Sequence, residues 1–445
     1  MTALLPLEMS EWTTLGPNNC ELLVDRELDS TRSTRDVVDL LNRHRFLRIA
    51  ELRHGLEIRT FSYVGRVRVG DIELHIRPKI PNASLLNLVR YAYGLRNLQL
   101  ISQATHQVNE FGIEDLLVCQ LNMEIEELVS RGLSRTYMPQ RERLSSPRGR
   151  IDITEIVRGG GTVTASLPCL FHPRIDDTPL NQCLLAGLRL AAIVTSISDI
   201  RRESLRLAAL LDDQVSRVPL TARTLDLVEL HLNRLTGNYR PAVSIIRMLL
   251  ECRGIVLENQ TASIPLPGFL FNMNSFFQAM LSRFLRENLA DHKVEDERQL
   301  RGMMTFDRSC YRPNWRTPAP RPDFAVLDGA KVKTLLDAKY RDIWSQKLPP
   351  SMLYQLVVYA VSQRSNPQAS ILYPTIDPSA REIRINVDDP VRGTRIGQVC
   401  LRPVRLSELE ESVYDHSSDG RCRRTELAQR LAFGEKASGD RTMEY

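Results

Sequence analysis

The sequence predicts a multidomain protein in which α+β and α/β parts follow one another along the chain. Three observations predict this fold class. Apolar and polar residues alternate at strand spacing between about 20 and 80, apolar residues recur at helical spacing from about 84 to 255, and short strand-like runs flank a helical segment after residue 320. A chain of 445 residues is long enough for two or three domains.

The expected domain boundaries follow these changes in spacing. A Pro-Leu-Pro-Gly sequence at 265–268 ends the helical region, and the chain becomes rich in charged residues after about 405. The expected segments are a β-rich N-terminal domain at 1–81, a mainly helical middle region at 82–264, an α/β domain at 265–404 and a charged, partly disordered tail at 405–445.

Composition and charge are those of an ordinary globular protein. Hydrophobic residues make up 42% and charged residues 25%, and a net charge of +5 is compatible with a nucleic-acid partner. The eight cysteines include no Cys-x-x-Cys pair, so neither a zinc site nor a disulfide framework is expected. The N-terminus lacks the pattern of a signal peptide and no apolar run reaches ~18–20 residues, so we expect a cytoplasmic protein.

In the N-terminal segment, residues 67–76 predict a β-hairpin. Residues 67–69 and 72–76 alternate, and Gly70-Asp71 between them is typical of a two-residue turn. Basic residues alternate with the apolar ones, so one face of this ribbon is either a solvated outer face or a surface for phosphates or a partner. The basic residues are Arg66, Arg68, His75, Arg77 and Lys79.

The middle region is predicted to contain several helices, at 85–91, 116–128 and 200–255 among others. Thr178 followed by Pro179 predicts a further helix start, because threonine caps a helix and proline suits its first turn. Between these helices, residues 131–150 contain six arginines against one acid. This stretch is either a surface for phosphates or a partner, or a solvated basic connector.

The segment at 265–404 is predicted to begin with a helix at 269–289. Two apolar, strand-like runs at 322–327 and 333–340 follow, then a helix at 351–361. A strand at 370–373 is expected to end at Pro374, because proline cannot donate to a sheet ladder. A last alternating strand is expected at 381–387.

Each of the two strand-like runs carries an aspartate. Asp323 begins the first, Asp337 lies near the end of the second, and Lys339 follows two residues later, so that Asp337 and Lys339 share one face of a strand. Thirteen residues separate the aspartates, about what a β-hairpin needs to bring them together. Because unpaired carboxylates in apolar strands are costly, this arrangement indicates a function; the alternative is a structural ion pair with Lys339 or an arginine.

Two carboxylates and a lysine at one point are suited to holding Mg²⁺ on a phosphodiester. The expected ligands are Asp323, Asp337 and the backbone carbonyl of Ala338, because Mg²⁺ prefers hard oxygen donors. Lys339 would orient the attacking water or stabilise developing negative charge. Gln355 and Tyr359 lie one turn apart on the predicted helix and are expected to join the catalytic residues, the alternative being ordinary polar contacts on a helix surface.

This set of residues resembles the PD-(D/E)xK nuclease superfamily. Pro322-Asp323 and Asp337-Ala338-Lys339 match its core signature, and Gln355-x-x-x-Tyr359 matches an extra motif of the RecB-like branch. Further motifs occur in an order similar to that of the McrC family, the nuclease subunits of McrBC-type, modification-dependent restriction systems. They lie at 72–80, 147–151, 177–181 and 337–340.

The resemblance implies a Mg²⁺-dependent DNA endonuclease subunit with a restriction-endonuclease-like C-terminal domain. It implies that the N-terminal part binds a hexameric AAA+ GTPase, McrB, and stimulates its GTP hydrolysis, while the GTPase reads and translocates methylated or otherwise modified DNA. The chain itself has no Gly-x-x-x-x-Gly-Lys-[Ser/Thr] loop, as expected of a subunit that borrows a motor. It departs from the family at Gln278, where a glutamate is usual, and glutamine is a poorer Mg²⁺ ligand.

Two alternative functions stay open at this point. Gln278 and the large portion outside the nuclease motifs would suit a non-catalytic subunit that activates the GTPase and assembles the complex. A stand-alone RecB-like repair nuclease would leave residues 1–260 without a role. For contacts with DNA or a partner, the candidates are Arg148, Arg150, Arg312 and Arg316.

Overall fold

In the computed structural model, the chain divides into two compact units. The structure describes residues 4–29, 31–95, 112–160, 165–253, 268–307, 317–363 and 367–435. Unit 1 contains Met1–Asn97 together with Leu270–Tyr445, and unit 2 contains Leu98–Phe269. The N-terminal segment and the acid-bearing strands, which we expected in separate domains at 1–81 and 265–404, therefore lie in one unit.

The N-terminal part of unit 1 consists of two small sheets and two helices. Its strands are β1 (Leu5–Ser10), β2 (Thr14–Leu15), β3 (Leu47–Leu52), β4 (Gly55–Thr60), β5 (Tyr63–Val69) and β6 (Ile72–Arg77), and its helices are α1 (Arg32–Arg43) and α2 (Asn82–Tyr93). Strand β1 pairs in parallel with β6, and β4 pairs with both β2 and β3.

The predicted hairpin at 67–76 is confirmed. Strands β5 and β6 pair antiparallel with Val69 opposite Ile72, and Gly70 has the positive φ of 62° that the two-residue turn requires. The basic face of this ribbon is partly neutralised, since Arg77 forms an ion pair of 2.7 Å with Glu8 and His75 lies 3.8 Å from Glu73.

Unit 2 is mainly helical, as expected, but residues 136–175 form short strands. The helices are α3 (Ile113–Arg131), α4 (Ile153–Arg158), α5 (Pro179–Val194), α6 (Ser198–Asp212), α7 (Ala222–Leu230) and α8 (Arg240–Arg253), and the strands are β7 (Thr136–Tyr137), β8 (Gln140–Leu144), β9 (Arg150–Ile151), β10 (Leu167–Phe171) and β11 (Arg174–Ile175). Thr178 caps α5 by accepting a hydrogen bond from the Asn181 backbone N–H, so the predicted helix start is confirmed.

The C-terminal part of unit 1 is built on a six-stranded sheet. Its elements are β12 (Gly268–Asn272), α9 (Met273–Asn288), β13 (Lys293–Asp296), β14 (Phe324–Asp328), β15 (Lys331–Ala338), α10 (Pro350–Val361), β16 (Gln368–Thr375), β17 (Ile383–Asp388), β18 (Arg395–Arg405), α11 (Leu406–Tyr414) and α12 (Ser418–Phe433). The strand order is β13-β14-β15-β16-β18-β17, with parallel pairing of β15 with β16 and of β16 with β18.

The core of this sheet explains why its central strands carry long apolar runs. Helix α10 contributes Leu356, Tyr359 and Ala360 to a buried cluster that includes Leu335 and Ile371. The residues that alternate with them along β14 and β15 are buried as well, and helix α9 contacts both β13 and β15. A sheet that is covered on both faces has no solvated side to carry polar residues, so a buried carboxylate in it is conspicuous.

Three expectations for the C-terminal part were wrong. Residues 269–272 belong to strand β12, and helix α9 starts only after Asn272, whose side chain caps it by accepting from the backbone N–H groups of Asn274 and Ser275. Strand β16 continues through Pro374 to Thr375. The segment expected to be a partly disordered tail contains α11 and α12, because Leu409, Ala428 and Leu431 are buried there.

Candidate active site

The two aspartates meet at one end of the β14–β15 hairpin. Asp323 directly precedes β14, and Asp337 is the last residue but one of β15. Because Phe324 pairs with Leu336 in this antiparallel ladder, the register brings Asp323 and Asp337 opposite each other. The Asp323 carboxylate accepts a hydrogen bond of 2.7 Å from the Ala338 backbone N–H, which ties the two strand ends together.

Lys339 bridges the two carboxylates. Its Nζ lies 2.8 Å from Oδ2 of Asp337 and 3.6 Å from Oδ2 of Asp323. Asp337 is only 2% exposed, and its Oδ1 atom is buried without a hydrogen-bond partner among the described residues. The structure therefore brings the three core residues of the sequence prediction together and leaves one carboxylate oxygen available to a ligand.

Burial and the neighbouring charges shift the pKa values of both Asp337 and Lys339. Burial and, second, the negative charge of Asp323 raise the pKa of Asp337 to about 6, against the opposing effect of Lys339. Burial alone would lower the pKa of Lys339, but the charges of Asp337 and Asp323 outweigh it, so the pKa of Lys339 is raised. At neutral pH, Lys339 is therefore a cation that donates hydrogen bonds and cannot accept a proton.

Gln355 and Tyr359 lie beside the acids and support them indirectly. Gln355 Nε2 donates to the Tyr359 hydroxyl at 2.7 Å, and that hydroxyl donates to the Arg321 carbonyl at 2.8 Å. The pair holds the backbone two residues before Asp323. Both were expected to be catalytic, and these hydrogen bonds are those of residues that position the acid-bearing segment.

Gln278, the position where the resembled family usually carries a glutamate, reaches the site from helix α9. Its Nε2 lies 3.5 Å from Oδ1 of Asp323. Next to it, Glu297 has a positive φ of 49°, donates its backbone N–H to the Asp323 carbonyl at 2.9 Å and forms an ion pair of 2.9 Å with Arg321. Sequence analysis missed Glu297 and Arg321, because neither belongs to a motif.

Sequence analysis also missed the support on the other side of Lys339. The Tyr340 hydroxyl donates to Oε1 of Glu11 at 2.9 Å, and the same oxygen accepts the Lys79 backbone N–H at 2.8 Å. The Tyr340 backbone N–H donates to Asn274 at 3.2 Å. Residues of the N-terminal segment thus hold the position directly after the catalytic lysine candidate.

Two of the four arginine candidates belong to unit 2, and the other two fall outside the described residues. Arg148 and Arg150 are exposed residues of unit 2; the Arg148 guanidinium lies 5.2 Å from the centre of the Phe171 ring, and Arg150 begins β9. Arg312 and Arg316 fall in a segment that the structure does not describe. Among the helices described, none is long and apolar enough to cross a membrane.

Comparisons with known proteins agree on one family. The family model of the McrBC 5-methylcytosine restriction system component matches residues 58–374, which is more than half of the chain and includes Asp323, Asp337 and Lys339. A curated relative, the type IV methyl-directed restriction enzyme EcoKMcrBC of Escherichia coli (strain K12), is 23% identical over 325 residues, which are 68% of this chain and 89% of the relative.

Among solved structures, a similar chain occurs in the refined half-complex from the tetradecameric assembly of Thermococcus gammatolerans McrB AAA+ hexamers with bound McrC. The match has a TM-score of 0.61 and 17% identity, and it covers 95% of this chain and 99% of that one. At this identity the likeness supports the fold alone. On the strength of the family match, the chain belongs to the McrBC 5-methylcytosine restriction system components, which confirms the family resemblance predicted from its motifs.

Proposed function

We propose that this chain is the Mg²⁺-dependent DNA endonuclease subunit of a modification-dependent restriction complex, with a PD-(D/E)xK active site. The observation that carries the proposal is the convergence of Asp323, Asp337 and Lys339 at one end of a hairpin. A structural ion pair needs no unpartnered oxygen, whereas Oδ1 of Asp337 is buried and lacks a partner among the described residues. A hard cation would supply that partner.

The donor set suits Mg²⁺ in chemistry and in number. The described residues contain no group of three or more His, Cys, Asp or Glu side chains that would form a closed metal cage. Asp323 and Asp337, with the Ala338 carbonyl as the expected third ligand, would leave the remaining positions to water and to a DNA phosphate, which is the coordination that Mg²⁺ tolerates best. When bound, the ion would polarise the scissile phosphate and lower the pKa of a water molecule.

The protein residues have separate roles in this proposal. The Lys339 ammonium, held between both carboxylates, would stabilise the negative charge that develops on the phosphate and orient the attacking water. Tyr359, through the Arg321 carbonyl, keeps Asp323 at the end of its strand. Tyr340 anchors the backbone after Lys339 through Glu11. Gln278 replaces the usual glutamate, so we expect weaker metal binding than in relatives that carry the acid.

The proposed partner is a hexameric AAA+ GTPase of the McrB type, and the proposed substrate is DNA with methylated or otherwise modified bases. Three facts support this partner. The chain has no phosphate-binding loop of its own, its family is that of McrBC restriction components, and the similar solved chain comes from an assembly of McrB AAA+ hexamers with bound McrC.

The proposal is tested by replacing Asp323 with asparagine. Asp323→Asn keeps the size of the side chain and its hydrogen bond with Ala338 but removes the charge. We expect DNA cleavage by the full chain with its GTPase, GTP and Mg²⁺ to fall at least about a hundredfold. Asp328→Asn, at the exposed far end of strand β14, which Asp323 directly precedes, is the matched control. Undiminished cleavage by Asp323→Asn would refute the assignment.

A second candidate function rests on Gln278 alone. A subunit that has lost its metal-binding glutamate could retain only the activation of the GTPase and the assembly of the complex. It would stimulate GTP hydrolysis and cut no DNA with Mg²⁺ or Mn²⁺. Cleavage that depends on the metal and is lost in Asp323→Asn would exclude it. If the parent chain does not cut, Gln278→Glu is the variant to test, because it restores the usual acid.

A further inference from the structure

In unit 1, two arginines flank a pair of aromatic rings in a row that runs from Arg59 on strand β4 to Arg341, two residues after Lys339 in the chain. The Arg59 guanidinium lies 5.7 Å from the centre of the Phe61 ring, which meets the Trp12 ring edge to face at 6.1 Å. The Arg341 guanidinium lies 5.5 Å from the centre of the Trp12 ring. We call these four residues the Arg59–Arg341 ladder.

The cations of the ladder have no counterion within the described part of the chain. Neither Arg59 nor Arg341 has a carboxylate at ion-pair distance there, and Arg341 instead donates to the Gln346 side chain at 3.1 Å. Burial and the neighbouring charge of Arg59 lower the pKa of Arg341. Arg48 adds a third positive charge, since it lies directly opposite Arg59 in the pairing of strands β3 and β4. Like charges at such a position destabilise a sheet unless an anion joins them.

The backbone at Trp12 indicates that the position of the indole is costly to maintain. Trp12 has a φ of 58°, a left-handed conformation that a bulky side chain rarely adopts. Strain of this kind persists where the surroundings enforce it, and it is concentrated at functional sites. Trp12, Lys79 and Arg341 also line a cavity of about 300 Å³ in unit 1.

Three acids line the same cavity, but their carboxylates already accept hydrogen bonds from other groups. Asp342 accepts hydrogen bonds from the backbone N–H groups of Trp344 and Ser345, and Asp377 accepts one from the Trp344 indole. Glu11 accepts from Tyr340 and from the Lys79 backbone. In each of these hydrogen bonds, the acid is paired with a group other than the arginines of the ladder.

We propose that the Arg59–Arg341 ladder binds the DNA strand that the candidate site cuts. Its guanidinium groups would contact phosphates and its rings would lie against sugars or bases, the combination that nucleic-acid grooves use. Arg341 is two residues from Lys339, so the ladder would deliver the strand to the catalytic end of the hairpin. This inference rests on the proposed function, because it names a contact of the same substrate.

The test is DNA binding by the full chain without metal, so that cleavage plays no part. The probe is a fluorescein-labelled 30-base-pair duplex, and binding is followed by anisotropy from 25 to 150 mM KCl. We expect Arg59→Gln and Arg341→Gln each to weaken binding about three- to tenfold and to reduce the slope of log K against log salt by about one. Arg395→Gln, which removes an arginine already paired with Asp388, is the control and should change neither.

Phe61→Leu separates the aromatic contribution from the charge. It should weaken binding and leave the salt slope unchanged, because stacking releases no counterions. The inference is overturned if Arg59→Gln and Arg341→Gln bind with the affinity and salt slope of the parent. Asp323→Asn should still bind the duplex, so loss of cleavage in that variant and loss of binding in the ladder variants report on the two proposals separately.

Discussion

Two aspartates of this chain are equally buried but have opposite surroundings. Asp115, in unit 2, is 3% exposed, and Asp337, in unit 1, is 2% exposed. Both oxygens of Asp115 accept hydrogen bonds, from the Thr195 hydroxyl at 2.5 Å and from the backbone and side chain of Ser196 at 3.1 and 3.2 Å. Asp337 has Lys339 on one oxygen and nothing in the described residues on the other.

The hydrogen-bond partners of a buried aspartate distinguish a structural role from a functional one better than its burial does. Asp115 joins the start of α3 to the segment before α6, so its carboxylate is fully used in holding unit 2 together. Asp337 keeps one oxygen unsatisfied at a cost in stability, which is expected of a group whose partner is a bound ligand. Changes at the two sites should therefore affect different properties of the protein.

The largest effect on DNA cleavage is expected from removing Lys339, the cation that pairs with Asp337. Lys339→Ala should reduce DNA cleavage at least about a hundredfold, because Lys339 is the only cation among the described residues within ion-pair distance of either carboxylate. Lys333→Ala is the matched control, since Lys333 lies on β15, the strand that leads to Lys339, and pairs with the exposed Asp328 at 3.0 Å. The measurement is the DNA cleavage rate of both variants with the GTPase, GTP and Mg²⁺. Equal cleavage rates in the two variants would contradict a functional role for Lys339 beside Asp337.

Asp115→Ala should affect stability and leave the chemistry intact. The Thr195 hydroxyl and the Ser196 backbone N–H would lose their acceptor in a buried place, so the free energy of unfolding should fall by about 3–4 kcal/mol. Urea denaturation measures it. Asp199→Ala removes an exposed carboxylate from the same unit and should have little effect. A loss of cleavage in folded Asp115→Ala would contradict the division of roles.

Glu11 is a third buried carboxylate, and only its Oε1 atom has hydrogen-bond partners among the described residues. Burial raises its pKa from 4.5 to about 7, so the folded protein binds a proton more tightly than the unfolded chain does. Stability should therefore fall as the pH rises from about 4.5 to 7, by about 3 kcal/mol in total. Glu11→Gln should remove this fall, and urea denaturation of both proteins at pH 5 and pH 8 measures it. Parallel pH dependence in parent and variant would show that Glu11 is not responsible.

The smallest expected effect concerns the hydroxyl that positions Asp323. Tyr359→Phe loses the hydrogen bond to the Arg321 carbonyl and should lower the free energy of unfolding by about 1 kcal/mol, with a moderate loss of cleavage. Tyr373→Phe is its control, because the buried Tyr373 hydroxyl has no partner among the described residues and its removal should cost nothing. Thermal unfolding distinguishes the two, and equal losses would count against a positioning role for Tyr359.

Local patterns in the sequence predicted the parts of the fold that depend on local physics. The turn at Gly70-Asp71, the cap at Thr178 and the spacing of Asp323 and Asp337 each involve residues whose conformations or strand register constrain one another directly. For the same reason the convergence of Lys339 with both acids followed from strand periodicity.

Contacts between distant segments could not be predicted in this way. The Glu11–Tyr340 hydrogen bond joins residues 329 positions apart, and it is one of the contacts by which the N-terminal segment and the six-stranded sheet share a unit. Helices α11 and α12 look like a charged tail because their apolar residues are few, yet Leu409 and Leu431 are buried. Tertiary packing, which a single sequence does not display, decided these cases.

The most direct test of the central claim is the thermal unfolding of the parent and Asp337→Asn as Mg²⁺ is raised from zero to 20 mM. Without Mg²⁺, the variant should unfold at a higher temperature than the parent, because it no longer buries an incompletely satisfied carboxylate. With Mg²⁺, the parent should be stabilised and the variant should not, since only the parent binds the ion in its folded state. Equal shifts in both proteins would contradict the account of Asp337 as a metal ligand.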